Sequence, residues 1–489
     1  MLRDLRQAIR SLFADRTFSI LVIGTLTLAI GINTTIFSAL NAVILSPLDY
    51  DQPERLVMIW EKNAALGVEQ ELVSAATYLD WRDRSRSFSS LAAYQYGGFT
   101  LMREDGASRL RSLTVSPVLF SVLGVRAELG RVFLEDEEQP GYERLVILSQ
   151  GTWKRRFGGD LSIVGTTIML DSEAYEVVGV MPDGFEFPAG DDVEMWTPLT
   201  LSLDDLPSRP HRLYNTIGRL SDGTSLDAAK SEFEEIAATI ATENPESNAG
   251  WQTTLLSAHE YVVGAVSSTL WFLFAAVGLV LLIGCVNVTS LLLARSTKAT
   301  RDLAVRAAFG AGALALVRRT FAESLVLAGT SGVTGLMFAF WGTGVLRGVI
   351  PDTVPRADEI GLDFTVLLFT GGILIATGVI SGLVPMVKAS RPDLTGILQE
   401  GGLGNVSGRK GRWLTGALVV SEVALAAMIL IGAGLMIRSY VRLTNVNPGF
   451  QTRGVVSVAV ALPETRYGFE EYALFYQSLL ETVRADPSY

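Results

Sequence analysis

Residues 17–48 read TFSILVIGTLTLAIGINTTIFSALNAVILSPL, an apolar stretch without a charged residue. A helix crosses a bilayer with about 20 consecutive apolar residues, so this stretch is long enough to span one. Four further stretches of comparable length and character follow, at 261–294, 324–346, 364–387 and 414–437, the last with one charge inside it. The sequence predicts a polytopic α-helical membrane protein.

The spacing of the stretches predicts a large domain between the first two spans. This segment of about 215 residues is long enough to bury a core of its own. Short β-rich runs bounded by turn residues predict an α+β domain. The expected strands are 55–60, 144–148, 166–170 and 175–181, and the expected helices are 76–84, 117–123 and 225–243, the last with Ser225 as N-cap.

Lysine and arginine in the short loops predict the orientation. They concentrate before the first span, between spans two and three, and between spans four and five. These segments are expected to be cytoplasmic, which places 46–262 and 347–363 outside. The expected organisation is 1–16 cytoplasmic, 17–48 span one and stalk, 49–260 exterior domain, 261–294 span two, 295–320 cytoplasmic coupling segment, 321–387 spans three and four, 388–413 cytoplasmic linker, 414–437 span five, and 438–489 exterior.

The acidic charge belongs to the exterior domain. Residues 46–262 contain 35 Asp and Glu against 18 Lys and Arg, a net charge of −17, whereas the whole chain carries −11. This balance argues against a nucleic-acid partner. The one cysteine, Cys285, lies within the second span, so the exterior domain has no disulfide.

The sequence offers little catalytic chemistry. Its two histidines, His211 and His259, stand in no zinc-binding motif, and neither a nucleophile elbow nor a phosphate-binding loop is present. The carboxylates of Asp191, Asp192 and Glu194 fit a solvated acidic turn better than a calcium site. We therefore predict no catalytic residue, no metal and no cofactor, and expect ATP to be bound elsewhere.

The loop between spans two and three stands out. Residues 294–312 read as a short, Ala-rich, basic helix ended by glycine, and a helix resumes at 313–321. A short helix at the cytoplasmic face is well placed to press on a cytoplasmic partner. The alternative is that its arginines anchor the spans at anionic headgroups.

Two sets of motifs carry a family resemblance. RDLAVRAAFGA at 301–311, followed by AESL at 322–325, resembles the core motif of FtsX-like ABC-transporter permeases, with Asp302 where glutamate is usual. VSPVLF at 115–120 and VVGVMP at 177–182 resemble the periplasmic core domain of MacB-type permeases. The resemblance covers essentially the whole chain.

The resemblance implies a permease subunit that couples a separate cytoplasmic ABC ATPase to the exterior domain mechanically, in transport or efflux across the inner membrane. The bilayer is its surroundings, and a periplasmic adaptor is a further candidate partner. The coupling residues would be Arg301, Asp302, Val305, Arg306 and Gly310.

Two other functions of this kind of permease stay open. One is lipoprotein release, which an acyl-chain groove between spans one and two would favour. The other is non-transport regulation of an exterior hydrolase. Glu422, an acidic residue well inside span five, is either a functional group or a helix-to-helix hydrogen-bonding partner.

The C-terminal part repeats the layout of the N-terminal part. Span five is followed by a β-like run at 454–462 and a helical pattern from Glu470, in the order seen after span one. We expect 438–489 to be an incomplete second exterior domain, as in duplicated permeases, and to be poorly packed.

Overall fold

The structure is a computed structural model that describes residues 15–103, 106–201, 209–308, 313–350, 354–389, 409–446, 449, 460 and 469–485. The chain divides into two compact units. The helical unit consists of Met1–Ser46 and Val266–Arg453, and the sheet unit consists of Pro47–Ala265 and Gly454–Tyr489.

The described helices, in chain order, are α1 (Arg16–Leu40), α2 (Ala75–Arg84), α3 (Leu119–Leu123), α4 (Gln150–Phe157), α5 (Leu226–Glu243), α6 (Pro245–Asn248), α7 (Ala258–Ala308), α8 (Ala313–Val349), α9 (Phe364–Ala389), α10 (Arg409–Thr444) and α11 (Phe469–Ala485). The described strands are β1 (Leu56–Asn63), β2 (Val68–Glu71), β3 (Phe88–Arg103), β4 (Gly106–Val115), β5 (Leu129–Gly130), β6 (Leu145–Leu148), β7 (Thr167–Leu170), β8 (Glu173–Val180), β9 (Met195–Pro198), β10 (Asn215–Leu220) and β11 (Gln252–Ser257).

The strands of the sheet unit form one mixed sheet. The order is β11-β1-β10-β3-β4-β9-β6-β8-β5, with β2 beside β1 and β7 beside β3 and β8. Most neighbours are antiparallel, whereas β4 with β9 and β6 with β8 are parallel. The predicted strands at 55–60, 144–148, 166–170 and 175–181 correspond to β1, β6, β7 and β8, so the expected α+β class is confirmed.

A long hairpin in the sheet was not predicted. β3 and β4 pair from Tyr94 with Val115 to Arg103 with Gly106. Gly97 and Gly98 lie inside β3. Glycine is uncommon inside strands, so this stretch of sequence lacks the usual strand pattern. Pairing with β4 and β10 stabilises the strand in spite of its weak local preference.

Helices α2, α4 and α5 of the sheet unit begin at side-chain caps and bury one face. The hydroxyls of Ser74, Ser149 and Ser225 accept hydrogen bonds from the N–H groups of residues three positions later, which confirms the cap predicted at Ser225. α2 and α5 pack together over the sheet, where the ring of Phe233 lies 5.5 Å from that of Trp81 and 5.2 Å from that of Phe88. Burying such side chains contributes about 1.5–3 kcal/mol each.

Apolar helices dominate the helical unit. Among the described residues, four segments are long and apolar enough to cross a membrane: Arg16–Leu45, Ala258–Leu292, Val326–Val349 and Gly416–Thr444. The predicted fourth span lies in α9, whose described apolar part is Phe364–Ile380. The fold is therefore that of a polytopic α-helical protein with an α+β domain, as predicted.

The coupling segment differs from the prediction in one respect. The sequence suggested a short, separate helix over 294–312, but α7 continues as one α-helix of 51 residues from Ala258 to Ala308. Alanine, leucine and arginine in this segment all favour helix, and the last proline or glycine before the end of α7 is Gly284. The segment is helical as expected, and it is an extension of span two.

The C-terminal segment is described only in part. α11 confirms the helix expected from Glu470, and the β-like run at 454–462 lies outside the described residues except for Val460. The α11 side chains of Leu474, Tyr476, Leu480 and Val483 are exposed.

Candidate functional site

Helix α1 packs closely against α8. A Cβ atom added at Gly31 would lie 2.6 Å from the Phe338 ring and 3.1 Å from the carbonyl oxygen of Gly335. One at Gly335 would lie 3.1 Å from Ile30 Cγ2. Near the end of the interface, one at Gly342 would lie 2.7 Å from the Thr35 hydroxyl. Glycine lets two helices approach this closely, which favours van der Waals packing in an apolar environment.

Polar side chains of α1 bond to three neighbouring helices. Thr27 and the α8 residue Thr334 have hydroxyl oxygens 2.6 Å apart. Asn33 donates through Nδ2 to the carbonyl oxygen of Val277 on α7 at 2.8 Å and to that of Ala29 at 2.8 Å. The Thr34 hydroxyl lies 3.1 Å from that of Thr370 on α9. Buried polar groups away from water need such partners, so these bonds specify how the helices meet.

The C-terminal end of α1 is held by the segment that connects α8 and α9. The α-helix passes into a π-helical turn, Asn41–Leu45. Asn41 Nδ2 donates to Asp363 Oδ2 at 2.7 Å, and the Ser38 hydroxyl donates to the carbonyl oxygen of Gly361. The other oxygen of Asp363 accepts the N–H of Val366 at 2.7 Å, which caps α9. One carboxylate thus bonds both to α1 and to the start of α9.

Arg356 completes this junction. Its Nη1 donates to the carbonyl oxygen of Ser46 at 2.8 Å, while Nε and Nη2 contact the two carboxylate oxygens of Glu359 at 2.7 and 2.6 Å. The side chain is only 8% exposed. We call Ser38, Asn41, Ser46, Arg356, Glu359, Gly361 and Asp363 the clamp. Bidentate pairing fixes the guanidinium plane and directs the remaining donor at α1.

Apolar contacts reinforce the clamp. Ile360, fully buried, packs against Ala39 of α1 and Ala42 of the π-helical turn. The rings of Phe37 and Phe369 stack with centroids 3.7 Å apart. The exit of α1 is therefore joined to α9 by both hydrogen bonds and packing.

The sheet unit contains a buried ion pair. Arg212 Nε lies 2.7 Å from Glu61 Oε2, with side chains 11% and 4% exposed. The Arg212 guanidinium lies 3.7 Å from the centroid of the Trp251 ring. Asn248 Nδ2 also donates to Glu61, at 3.3 Å. Burial raises the pKa of Glu61, and the positive charge and hydrogen bond of Arg212 oppose this increase.

The structure places the predicted coupling residues only by their backbone. Arg301, Asp302, Val305 and Arg306 lie in the last part of α7. Their side chains, and Gly310 altogether, are outside the described residues. The coupling role stays a prediction.

Glu422 lies on α10 and is half-buried. Within the described part of the chain, it is not one of the residues that join α1 to its neighbours. Its role likewise stays a prediction.

The acidic turn has protein partners. The Tyr96 hydroxyl donates to Asp191 at 2.6 Å, Arg111 Nη2 pairs with Asp192, and the Arg111 N–H donates to Glu194 at 3.1 Å. These contacts favour the interpretation as an acidic turn. In the described ranges, no three His, Cys, Asp or Glu side chains group in a way that could hold a metal.

The sequence analysis missed the clamp and the polar residues of α1. Asn33, Thr34, Thr35 and Asn41 stand inside the first apolar stretch, and this was the available signal. Asp363, the partner of Asn41, and Arg356, the partner of Ser46, belong to a short polar loop with no pattern of its own.

Apolar helices of membrane-spanning length, combined with a large α+β domain between the first two of them in the chain, define a polytopic α-helical membrane protein. Residues 19–236 match the family described as MacB-like periplasmic core domain. This part of the chain is therefore similar to that domain family, and the resemblance to MacB-type ABC transporter permeases is confirmed.

Named relatives agree with this assignment. The chain is 25% identical over 264 residues to the macrolide export ATP-binding/permease protein MacB of Azoarcus sp. (strain BH72), covering 53% of this chain and 38% of that protein. It is 23% identical over 278 residues to the uncharacterized ABC transporter permease YknZ of Bacillus subtilis (strain 168), covering 56% of this chain and 66% of that protein. The chain thus spans well under half of the MacB relative.

Among solved structures, the periplasmic region of MacB from Actinobacillus actinomycetemcomitans is similar to part of this chain. The matched region covers 44% of this chain and 92% of that one. The TM-score is 0.33 and the sequence identity is 13%.

Proposed function

We propose that this chain is the permease subunit of an ABC-type mechanotransmission system for transport or efflux. It couples a separate cytoplasmic ATPase to its periplasmic core domain and hydrolyses no ATP itself. The observation that supports this most is α7, one continuous helix that begins directly after β11 and ends at Ala308. At about 1.5 Å per residue, such a helix is roughly 75 Å long and connects the domain to the coupling segment.

The coupling segment is the proposed contact with the ATPase. Arg301, Asp302, Val305, Arg306 and Gly310 would form this contact on the cytoplasmic side, with Arg301 and Arg306 supplying positive charge. A helix continuous with span two transmits a push more directly than a separate one, because no flexible joint interrupts it. A periplasmic adaptor is a further candidate partner on the other side.

A groove for acyl chains between spans one and two would favour the lipoprotein-release alternative. In the structure, a Cβ atom added at Gly284 of α7 would lie 3.2 Å from Ala29 Cβ of α1. Asn33 also bonds to α7 close to this point. The two helices therefore touch at this level and leave no groove for an acyl chain there, which favours the mechanotransmission proposal.

The topology is tested by single cysteines in a Cys285→Ser background. With the proposed orientation, a membrane-impermeant thiol reagent added to intact cells should label Ser208→Cys and leave Ser296→Cys unlabelled. Permeabilised cells should give labelling at both positions, which shows that both thiols are reactive. Labelling of Ser296→Cys alone in intact cells would invert the orientation.

The ATPase contact is tested by charge reversal. Exposed ion pairs contribute about 0–1 kcal/mol each, so a double change, Arg301→Glu with Arg306→Glu, is the fair test. We expect the ATPase that copurifies with the tagged chain to be reduced about tenfold or more, as loss of about 1.4 kcal/mol would give. Membrane insertion should be unchanged.

A matched control reverses the same number of charges elsewhere. Arg126 and Arg156 are exposed residues of the sheet unit, and changing both to glutamate should leave copurification intact. If the Arg301 and Arg306 variant copurifies as much ATPase as the control, the two arginines are headgroup anchors.

A further inference from the structure

The helical unit joins α1 to α8 through an interface with a fixed register. Phe338 fits against Gly31, Ile30 against Gly335, and Thr35 against Gly342. A large side chain seated against a glycine cannot move along the opposite helix without overlapping the next side chains. Since packed interiors have little free volume, sliding between these two helices is strongly opposed.

The clamp adds a second constraint on α1. Asn41 bonds to Asp363, which caps α9, and Arg356 bonds to the carbonyl oxygen of Ser46 at the exit of α1. The stacked rings of Phe37 and Phe369 lie on the same side. α1, α8 and α9 are therefore connected along the length of α1 and at its end, and they form one body.

α7 contacts this body much less. In the membrane-spanning part of each helix, 50% of the residues of α1 are buried but only 17% of those of α7. Val288 and Leu292 of α7 pack with α1 in one apolar cluster, and Leu270 and Phe274 pack against Phe37 and Leu40 in another. The Phe274 ring centroid lies 6.0 Å from that of Phe37 and 5.8 Å from that of Phe369. At the closest approach, Gly284 faces Ala29. Apart from the Phe274 ring contacts, the described contacts between α7 and this body contain neither a large side chain seated against a glycine nor a hydrogen-bonded clamp.

The hydrogen bond between α1 and α7 can be repeated at other registers. Asn33 Nδ2 donates to the main-chain carbonyl oxygen of Val277 at 2.8 Å. A helix presents an equivalent carbonyl every turn, about 5.4 Å along its axis. Asn33 also donates to Ala29 of its own helix at 2.8 Å, so its amide stays bonded while α7 moves. One-turn shifts of packed elements are a known form of conformational change.

We propose that α7 slides along its axis by about one helical turn, roughly 5.4 Å, against a rigid body of α1, α8 and α9, with Asn33 bonding to successive carbonyls of α7. This inference rests on the proposed function and identifies the element that moves. Axial displacement of a continuous helix shifts its two ends together, which is what transmission from the coupling segment to the periplasmic core domain requires.

Cysteine pairs in membranes test the proposal without an ATPase. The background protein carries Cys285→Ser and a protease site inserted within 202–208. Cleavage at this site separates the fragment that contains α1 from the rest of the chain, unless a disulfide between α1 and another helix holds the two together. For α7, Ala29→Cys is combined in turn with Leu281→Cys, Gly284→Cys and Val288→Cys, which are one turn apart on one face. For α8, Thr27→Cys is combined with Ser331→Cys, Thr334→Cys and Phe338→Cys. Formation is measured after mild oxidation.

Sliding predicts different patterns for the two helices. All three α7 pairs should form disulfides within about threefold of one another, whereas the α8 pair at 334 should exceed its neighbours by about tenfold or more. Cross-linking of α7 at 284 alone would overturn the proposal. So would equal cross-linking of all three α8 pairs, because α1 and α8 would then not be one body.

A second set of cysteine pairs keeps the test decisive if a variant of the first set does not fold. For α7, the cysteine on α1 is placed at Thr25 instead of Ala29, because Thr25 Cγ2 lies 3.8 Å from a Cβ atom added at Gly284. For α8, the in-register pair becomes Ile30→Cys with Gly335→Cys. The same pattern is expected, and its absence in both sets overturns the proposal. Since no ATPase takes part, failure here is distinguishable from failure of ATPase copurification.

Discussion

Replacing Gly31 by leucine should disrupt the helical unit. The first added carbon would lie 2.6 Å from the Phe338 ring and 3.1 Å from the Gly335 carbonyl oxygen. The ring can turn only within a packed interface, and the carbonyl belongs to the α8 backbone, so the helices must separate. Overpacking costs typically about 1–3 kcal/mol, and backbone overlap places this variant at or above about 3 kcal/mol. We expect loss of a monodisperse peak in detergent size-exclusion chromatography.

Gly24 provides the matched control on the same helix. A Cβ atom there has no neighbouring atom within 4 Å. Gly24→Leu should therefore keep the elution profile and thermal stability of the unchanged protein. Equal behaviour of the two variants would show that α1 and α8 are not in contact at Gly31.

Replacing Arg212 by alanine should destabilise the sheet unit by about 3–5 kcal/mol, because Glu61 would be left as a buried charge without its partner. The change also removes the guanidinium that stacks on Trp251. We expect a lower midpoint for loss of the protease-resistant 47–265 region of the full-length protein in urea. Replacing both residues, as Glu61→Met with Arg212→Leu, should recover most of the loss, since it leaves no unpaired charge.

The loss of stability caused by Arg212→Ala should depend on pH. Burial raises the pKa of Glu61 in the folded protein, and Arg212 opposes this, so the pKa rises further when Arg212 is removed. A group with a raised folded pKa contributes stability below its unfolded pKa and loses it as pH rises through the folded value. The deficit should therefore be smaller at about pH 5 than at about pH 8. A deficit that does not change over this range would mean that lost packing against Trp251, not charge, is responsible.

The sequence by itself determined the features that depend on neighbouring residues. Length and apolarity located the membrane-spanning helices, since a helix needs a fixed number of apolar residues to cross a bilayer. The spacing of Ala229, Phe233, Ile236 and Ile240 located α5, and Ser225 marked its start. The same local signals predicted β1, β6, β7 and β8. The motifs at 115–120 and 177–182 identified the periplasmic core domain.

The tertiary structure alone decided which distant residues meet. Arg356 is 310 residues from Ser46, and Arg212 is 151 residues from Glu61. No periodicity links such positions, because their contact depends on how separate elements pack. The β3–β4 hairpin was also decided by tertiary contacts. The continuity of α7 through 294–308 was not predicted either, although its residues favour helix. In the hairpin, pairing with neighbouring strands outweighs the weak preference of Gly97 and Gly98, and such long-range stabilisation is not encoded in any short stretch of sequence.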